Sequence, residues 1–187
     1  LEVIDANEKT WNIEKSKIKG SGADTALLAV HNLGNIINVP ELQRNHPELI
    51  IVEDNCEGLF GKYEGRYSGT ASLISSVSFF GNKTITSGEG GAVFTADDEL
   101  FEYLNSVRGQ GQSSVRYIHD KLGYNYRMTN VQAALLYGQL EIVEEIREMK
   151  SNVFETYRKE LSDVEEIRFQ YEEPGTVHAQ WMFGVRF

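Results

Sequence analysis

Two short apolar runs, TALLAVH at residues 25–31 and LIIVED at 49–54, constrain the fold of this chain more than any other feature. A strand with one wet face alternates apolar and polar residues. A nearly continuous apolar run instead needs cover on both faces, as in a parallel sheet. Between the runs, NVPELQRNH reads as a short helix, with Pro40 suited to a first helical position. Strand, helix, strand is a βαβ unit, so the expected class is α/β with a mostly parallel sheet sandwiched by helices. SVSFF (76–80) and GAVFT (91–95) read as further strands. DDELFEYLNSVRG reads as a helix with Leu100, Leu104 and Val107 on one face and Gly109 at its end.

From Thr129 the spacing predicts one long helix to about residue 162. Thr129 and Gln132 form a capping box, and Leu136, Leu140, Val143, Ile146, Val153, Tyr157 and Leu161 keep helical spacing. This divides the chain into a large domain over 1–163 and, past the helix, the start of a second domain over 164–187. The chain opens on a strand-like LEVIDA and ends on QWMFGVRF, which reads as a strand in progress. Both suggest a piece from the middle of a longer protein. There is no internal repeat or low-complexity tract.

Composition limits the partners. With 41% hydrophobic and 25% charged residues, the chain is ordinary globular material. No apolar run approaches the roughly 20 residues that cross a bilayer. A net charge of -10 argues against nucleic acid or an anionic membrane surface as a partner. One cysteine, Cys56, allows no intrachain disulfide and, with four scattered histidines, no cysteine-rich metal cluster. A cytoplasmic setting is expected, with no metal.

The chemistry centres on SFFGNKTITSGEGG, residues 78–91. A P-loop would need glycine where Asn82 and Val77 stand, and a dinucleotide fingerprint would need glycine in place of Val93, so both fail. The GEGG turn by itself is a tight link to the next strand. Lys83 by itself would be an ordinary surface lysine. Asp54, however, ends the strand LIIVED, and ligands of open α/β sheets gather at the carboxyl ends of strands. A helix cap or structural hydrogen bond is the plainer role for such an acid. Taken together, Lys83, Asp54 and Ser78 match what a pyridoxal-phosphate site needs: a lysine for the Schiff base, an acid for the pyridine nitrogen and a hydroxyl for the phosphate.

Three stretches, VEDNCEGLFGKYEGRYSGT, SFFGNKTITSGEGG and LGYNYRMTNVQAALLYGQLE, closely resemble the DegT/DnrJ/EryC1/StrS family of pyridoxal-phosphate sugar aminotransferases. The resemblance runs from VIDANEKTWNI through AVHNLGN to WMFG. It implies the large domain of an aspartate-aminotransferase-like enzyme of PLP fold type I and a homodimer with shared active sites. L-glutamate would be the amino donor and a nucleotide-linked keto-sugar the acceptor. SFFGNKTIT with the ED-x-x-E pattern points to the subgroup that aminates C4 of GDP-4-keto-6-deoxymannose, for deoxyaminosugar and O-antigen synthesis. Amination at C3, a dTDP or UDP sugar, and a non-catalytic sensor or scaffold are the alternatives. The related 3-dehydratases carry histidine in place of lysine, so Lys83 argues against that branch.

By position, the resemblance makes Lys83 the Schiff-base lysine, Asp54 the pyridinium partner, Ser78 a phosphate ligand and Glu57 a neighbour of the cofactor ring. Asn125 and Arg127 would reach into the neighbouring subunit's site, the asparagine toward the phosphate and the arginine toward substrate. Capping of the following helix is the plainer role for that loop. His31 is a substrate-contact candidate, with a satisfied core or loop histidine as the plainer reading. Two family features are missing, a phosphate-holding Gly-Thr/Ser-Ala turn upstream and a small domain beyond WMFG. KSKIKGSGADTALLAV looks irregular where relatives have a helix.

Overall fold

The fold is that of a computed structural model and is described for residues 1–19 and 25–187. Part of the irregular stretch before the first strand therefore lies outside the described residues; its start, Lys15–Lys17, makes a single 3-10 turn. The chain then runs through β1 (Ala26–Val30), α1 (Val39–Asn45), β2 (Ile50–Asp54) and a small hairpin of β3 (Lys62–Tyr63) and β4 (Arg66–Tyr67). β5 (Ile74–Ser78), β6 (Gly91–Phe94) and α2 (Asp98–Arg108) follow. α3 (Asn130–Glu141) and α4 (Val143–Glu160) lead to three short strands, β7 (Arg168–Phe169), β8 (Thr176–Val177) and β9 (Val185–Arg186).

The main sheet has the order β1-β2-β5-β6. β1, β2 and β5 are parallel, and β6 returns antiparallel to β5 through the turn that holds Lys83. The fold is thus α/β on a mixed, mostly parallel sheet. Leu27, Ala29 and Ile51 point to one face and bury against Ile36, Ile37, Val39 and Leu42 of α1 and its approach. Asn38 caps α1, its side chain accepting from the Glu41 amide at 3.1 Å.

The opposite face is open. Leu28 is 57% exposed and Val93 51%. α2 stands off β5 and β6 across a cleft of about 700 Å³ lined in part by Phe101, Leu104 and Val107. Among the described residues, helices therefore close one face of the sheet and only flank the other. Strand alternation sends Glu53 to the closed face and Asp54 to the open one.

The long helix expected from Thr129 is broken at Ile142 (φ -116, ψ 21), which ends α3 and starts α4. Its two halves serve different surfaces. α3 turns Gln139 toward the loop of Thr86, whereas α4 packs Phe154 against His178 and Phe183. The capping box at Thr129 is present as expected. Past α4 the chain turns back, and β8 pairs with β3 across more than a hundred residues, so residues 164–187 are tied to the β3–β4 hairpin in a second, three-stranded sheet. Among the described residues, no helix is long and apolar enough to cross a membrane.

His178 makes this tie sensitive to acid. It is buried, its Nδ1 accepts from the Gln180 amide at 2.8 Å, and Nε2 lies 3.3 Å from Gln170 Oε1. Burial, with help from the nearby Arg158 charge, pushes its pKa down from 6.5 to about 4. The unfolded chain binds this proton first, so the stability is fully present above about 6.5 and is lost as pH falls toward about 4. One pKa unit is about 1.4 kcal/mol, so full-length protein should lose about 2 kcal/mol between pH 7 and pH 5 from this group. In His178→Asn, whose amide oxygen can still accept from Gln180, urea midpoints should change much less over that interval. Equal pH dependence in both proteins would rule His178 out as the source.

Candidate active site

The carboxyl ends of the parallel strands build the site. Register places Val30, Asp54 and Ser76 side by side. Asp54 Oδ1 accepts from the Cys56 amide at 3.1 Å and lies 3.5 Å from the Ser76 hydroxyl. Among the described residues, Oδ2 has no hydrogen-bond partner and stays available to a donor. Burial pushes the Cys56 thiol up, with the Asp54 charge adding to it, so the thiol stays protonated near neutral pH. Ser76 was not anticipated from the sequence; its only signal is that it lies two residues before Ser78 on the same face of one strand.

Ser78 ends β5 and opens the Lys83 loop. Its hydroxyl oxygen accepts from the Phe80 amide at 3.2 Å, which leaves the O–H proton free to point elsewhere. The Lys83 amide donates to Phe80 O at 3.0 Å, closing a tight turn. Phe79 O then accepts from both the Ser87 amide (3.0 Å) and the Thr86 hydroxyl (2.9 Å). Helix α3 fastens the far side of the loop. Gln139 accepts from the Thr86 amide at 2.9 Å and donates to Thr86 O at 2.7 Å, and Gln132 donates to Glu89 O at 3.1 Å. The glycine-rich link is thus a tight turn, and it is clamped from outside.

This fastening holds the Lys83 side chain inward, only 12% exposed, with Nζ 3.9 Å from Glu57 Oε1. A lysine this enclosed is rare without a specific partner. Glu57 uses its other oxygen to accept from the Leu33 amide at 2.7 Å. That bond steadies a turn in which Leu33 itself has φ +58, a left-handed conformation that is costly for a side chain. The next residue must be glycine: a Cβ on Gly34 (φ +95) would sit 3.1 Å from both Glu57 O and Trp181 N. The indole of Trp181 lies against the lysine, with Nζ 4.0 Å from the ring centroid. No local sequence signal marked Trp181, which stands far along the chain from Lys83.

The structure sets the remaining candidates apart. His31 lies in the core with no exposure, its Nδ1 accepting from the Ile37 amide at 3.1 Å and its Nε2 2.9 Å from Glu53 Oε2. Both nitrogens are committed, so the substrate-contact expectation is corrected to the core histidine. Asn125 and Arg127 are exposed. They lie on a segment held along the end of α2 by Tyr124 N to Val107 O (2.7 Å) and Tyr126 N to Arg108 O (3.0 Å). Among the described residues, neither side chain joins the Lys83 group.

The carboxyl ends of an α/β sheet thus carry Asp54 and Ser76 side by side, and the loop that follows β5 sets an enclosed lysine amine beside the Glu57 carboxylate. The family model for the DegT/DnrJ/EryC1/StrS aminotransferase family matches residues 2–187, and the chain belongs to that family. It is 36% identical over 188 residues to GDP-perosamine synthase of Escherichia coli O157:H7, covering 97% of this chain and 51% of that protein. It is 37% identical over 185 residues to GDP-perosamine synthase of Vibrio cholerae, covering 97% and 50%. Among solved structures, E. coli GDP-4-keto-6-deoxy-D-mannose-3-dehydratase with bound hydrated PLP matches with a TM-score of 0.86 at 23% identity, covering 97% of this chain and 52% of that one. The chain spans about half the length of the curated relatives it matches.

Proposed function

We propose that the full-length protein is a pyridoxal-phosphate-dependent aminotransferase. It would move an amino group from L-glutamate to C4 of a nucleotide-linked 4-keto-6-deoxy sugar, GDP-4-keto-6-deoxymannose, for deoxyaminosugar polysaccharide synthesis in the cytoplasm. One observation carries the reading: the enclosed Lys83 amine stands beside Glu57 on the loop that follows β5, whose end adjoins Asp54, in a chain similar over nearly its whole length to GDP-perosamine synthases. The donor set fits the cofactor. Asp54 Oδ2 can accept a ring N–H, the Ser78 O–H can donate to a phosphate oxygen, and Glu57 Oε1 faces the amine. When bound, pyridoxal phosphate supplies an aldehyde that bonds amines and a ring that accepts electrons as a proton leaves.

The chain's own residues do the rest. Lys83 provides the amine and, once freed, takes and returns the proton at the substrate's α-carbon. Asp54 keeps the ring nitrogen protonated. Residues 164–187 begin the second domain, tied to the large domain of 1–163 by β8. Purified full-length protein given the cofactor, L-glutamate and GDP-4-keto-6-deoxymannose should yield 2-oxoglutarate and a sugar aminated at C4. Amination at C3, or turnover only with a dTDP or UDP sugar, would correct the substrate. No turnover of any keto-sugar by cofactor-loaded protein would favour a sensor or scaffold.

The protein is proposed to be a homodimer whose exposed Asn125 and Arg127 complete the partner's site, the asparagine toward phosphate and the arginine toward substrate. Lys83→Ala and the double variant Asn125→Ala with Arg127→Ala should each be inactive. In mixed dimers one of the two sites receives neither defect. Random reassortment therefore restores about a quarter of wild-type activity, as two-fold symmetry requires. Co-purification of differently tagged chains without recovered activity would place these residues in their own subunit's site.

A further inference from the structure

The contact between Lys83 and Trp181 has no assigned role. Lys83 Nζ sits 4.0 Å from the indole centroid, within cation–π range. Among the described residues its ammonium makes no hydrogen bond, and the nearest carboxylate oxygen, Glu57 Oε1, is 3.9 Å away. An ammonium this enclosed ordinarily acquires a hydrogen-bonded partner. Here the face of a ring and a carboxylate just beyond bonding reach do that work.

The ring is held at one point and the backbone beside it at two. Its Nε1–H donates to Asn82 O at 3.0 Å, so Trp181 is fastened to the residue before Lys83. Its carbonyl accepts from Lys150 Nζ at 3.1 Å, which ties it to α4. The next amide, Met182 N, donates to Leu33 O at 3.3 Å, and the Leu33 amide donates to Glu57. Glu57, the Leu33 turn, Trp181 and the Lys83 loop therefore form a closed ring of contacts around one amine.

We propose that the indole face of Trp181 is the resting place of the Lys83 amine whenever that amine is not covalently engaged, which makes Trp181 a positioning residue. This rests on the reading of Lys83 as the cofactor's amine. A cation–π contact suits the task. It is non-directional and weaker than a hydrogen-bonded ion pair, so it keeps the amine beside the reacting atoms and releases it readily. A direct salt bridge to Glu57 would hold the amine more tightly and release it more slowly. Glu57 Oε1 instead stays at 3.9 Å, a loose ion pair, while its other oxygen accepts from the Leu33 amide.

The test uses full-length protein without cofactor, with its lysines labelled with ¹³C at Cε. Protons above an indole face are shielded, so one lysine signal should lie upfield of the rest. It should vanish in Lys83→Arg, return to the common position in Trp181→Leu and remain partly shifted in Trp181→Phe. Chemical modification of Lys83 by trinitrobenzenesulfonate, mapped by peptide mass and referenced to exposed lysines, should quicken about three- to ten-fold in Trp181→Leu, in line with the strength of such contacts. A Lys83 signal at the common position in wild-type protein overturns the proposal whether or not the variants fold. Adding pyridoxal phosphate separates the two readings. If the upfield signal moves, Lys83 is the cofactor's amine and leaves its resting place. If it stays while borohydride labels another lysine, the reading of Lys83 fails and this proposal with it.

Discussion

Replacing Lys83 by alanine in the full-length protein is expected to lower turnover by about 10⁴-fold, the upper end of what one acid–base group supplies, with covalent attachment lost as well. The fold should survive, because among the described residues the Lys83 side chain makes no hydrogen bond. Lys83→Arg keeps the charge but not the chemistry, since a guanidinium does not give up its proton near neutral pH. Borohydride reduction of cofactor-loaded wild type should leave the label on the peptide containing Lys83. Asp54→Asn supplies the matching control. Its amide oxygen can still accept from Cys56 N and Ser76 Oγ, so the strand end stays intact, yet the amide cannot hold a ring nitrogen protonated. That variant should bind cofactor and lose about 10²-fold or more in turnover, on the scale of a lost acid–base contribution. Label on another lysine, or near-normal turnover in Asp54→Asn, would overturn the respective assignment.

What the sequence disclosed and what it hid divide along range. The strands β1, β2 and β6, the helix α2 and the Thr129 capping box were legible because each is written in neighbouring residues. β5 was read two residues late. Its first half, ISS, breaks the apolar run with serines that face Asp54 and the core, and FF beyond it belongs to the Lys83 turn. The Lys83 and Asp54 setting was legible because a strand end and a turn are both local features. Trp181 was not, because only the return of the chain after α4 brings it back to Lys83. The β3–β8 pairing and the break at Ile142 were hidden for the same reason: both depend on surfaces that meet only in three dimensions. His31 stayed open, with the core as its plainer place, because a histidine after a strand looks the same in sequence whether it faces ligand or core. Its partner, Glu53, decides the matter.

Glu53 carries the second large effect. It has no exposure, and its oxygens accept from His31 Nε2 (2.9 Å), the Tyr63 hydroxyl (3.2 and 3.3 Å), the Gly69 amide (2.8 Å) and the Ser72 amide (3.2 Å). Tyr63 accepts in turn from the Thr70 and Ala71 amides, at 3.1 and 3.0 Å. One buried carboxylate thus fastens the excursion between β2 and β5, the same excursion that carries Cys56 and Glu57. Burial pushes the Glu53 carboxyl up, but His31, Ser72 and Gly69 outweigh it and hold it below the usual range. Its stability contribution is therefore present above the ordinary carboxylate value of 4.5 and is lost as pH falls through the lower folded value. Glu53→Ala strips four donors of their acceptor at once, three of them buried. Breaking a buried charged network of this kind costs about 3–5 kcal/mol, a large share of the 5–15 kcal/mol that keeps a domain folded. Glu53→Gln keeps the shape and one acceptor oxygen but sets an NH₂ group against donors, so it should cost about 1–3 kcal/mol. Urea midpoints of the full-length variants should fall in the order wild type, Gln, Ala. A Glu53→Ala protein within about 1 kcal/mol of wild type, the worth of one ordinary hydrogen bond, would mean that the excursion is held by its own turns and not by this carboxylate.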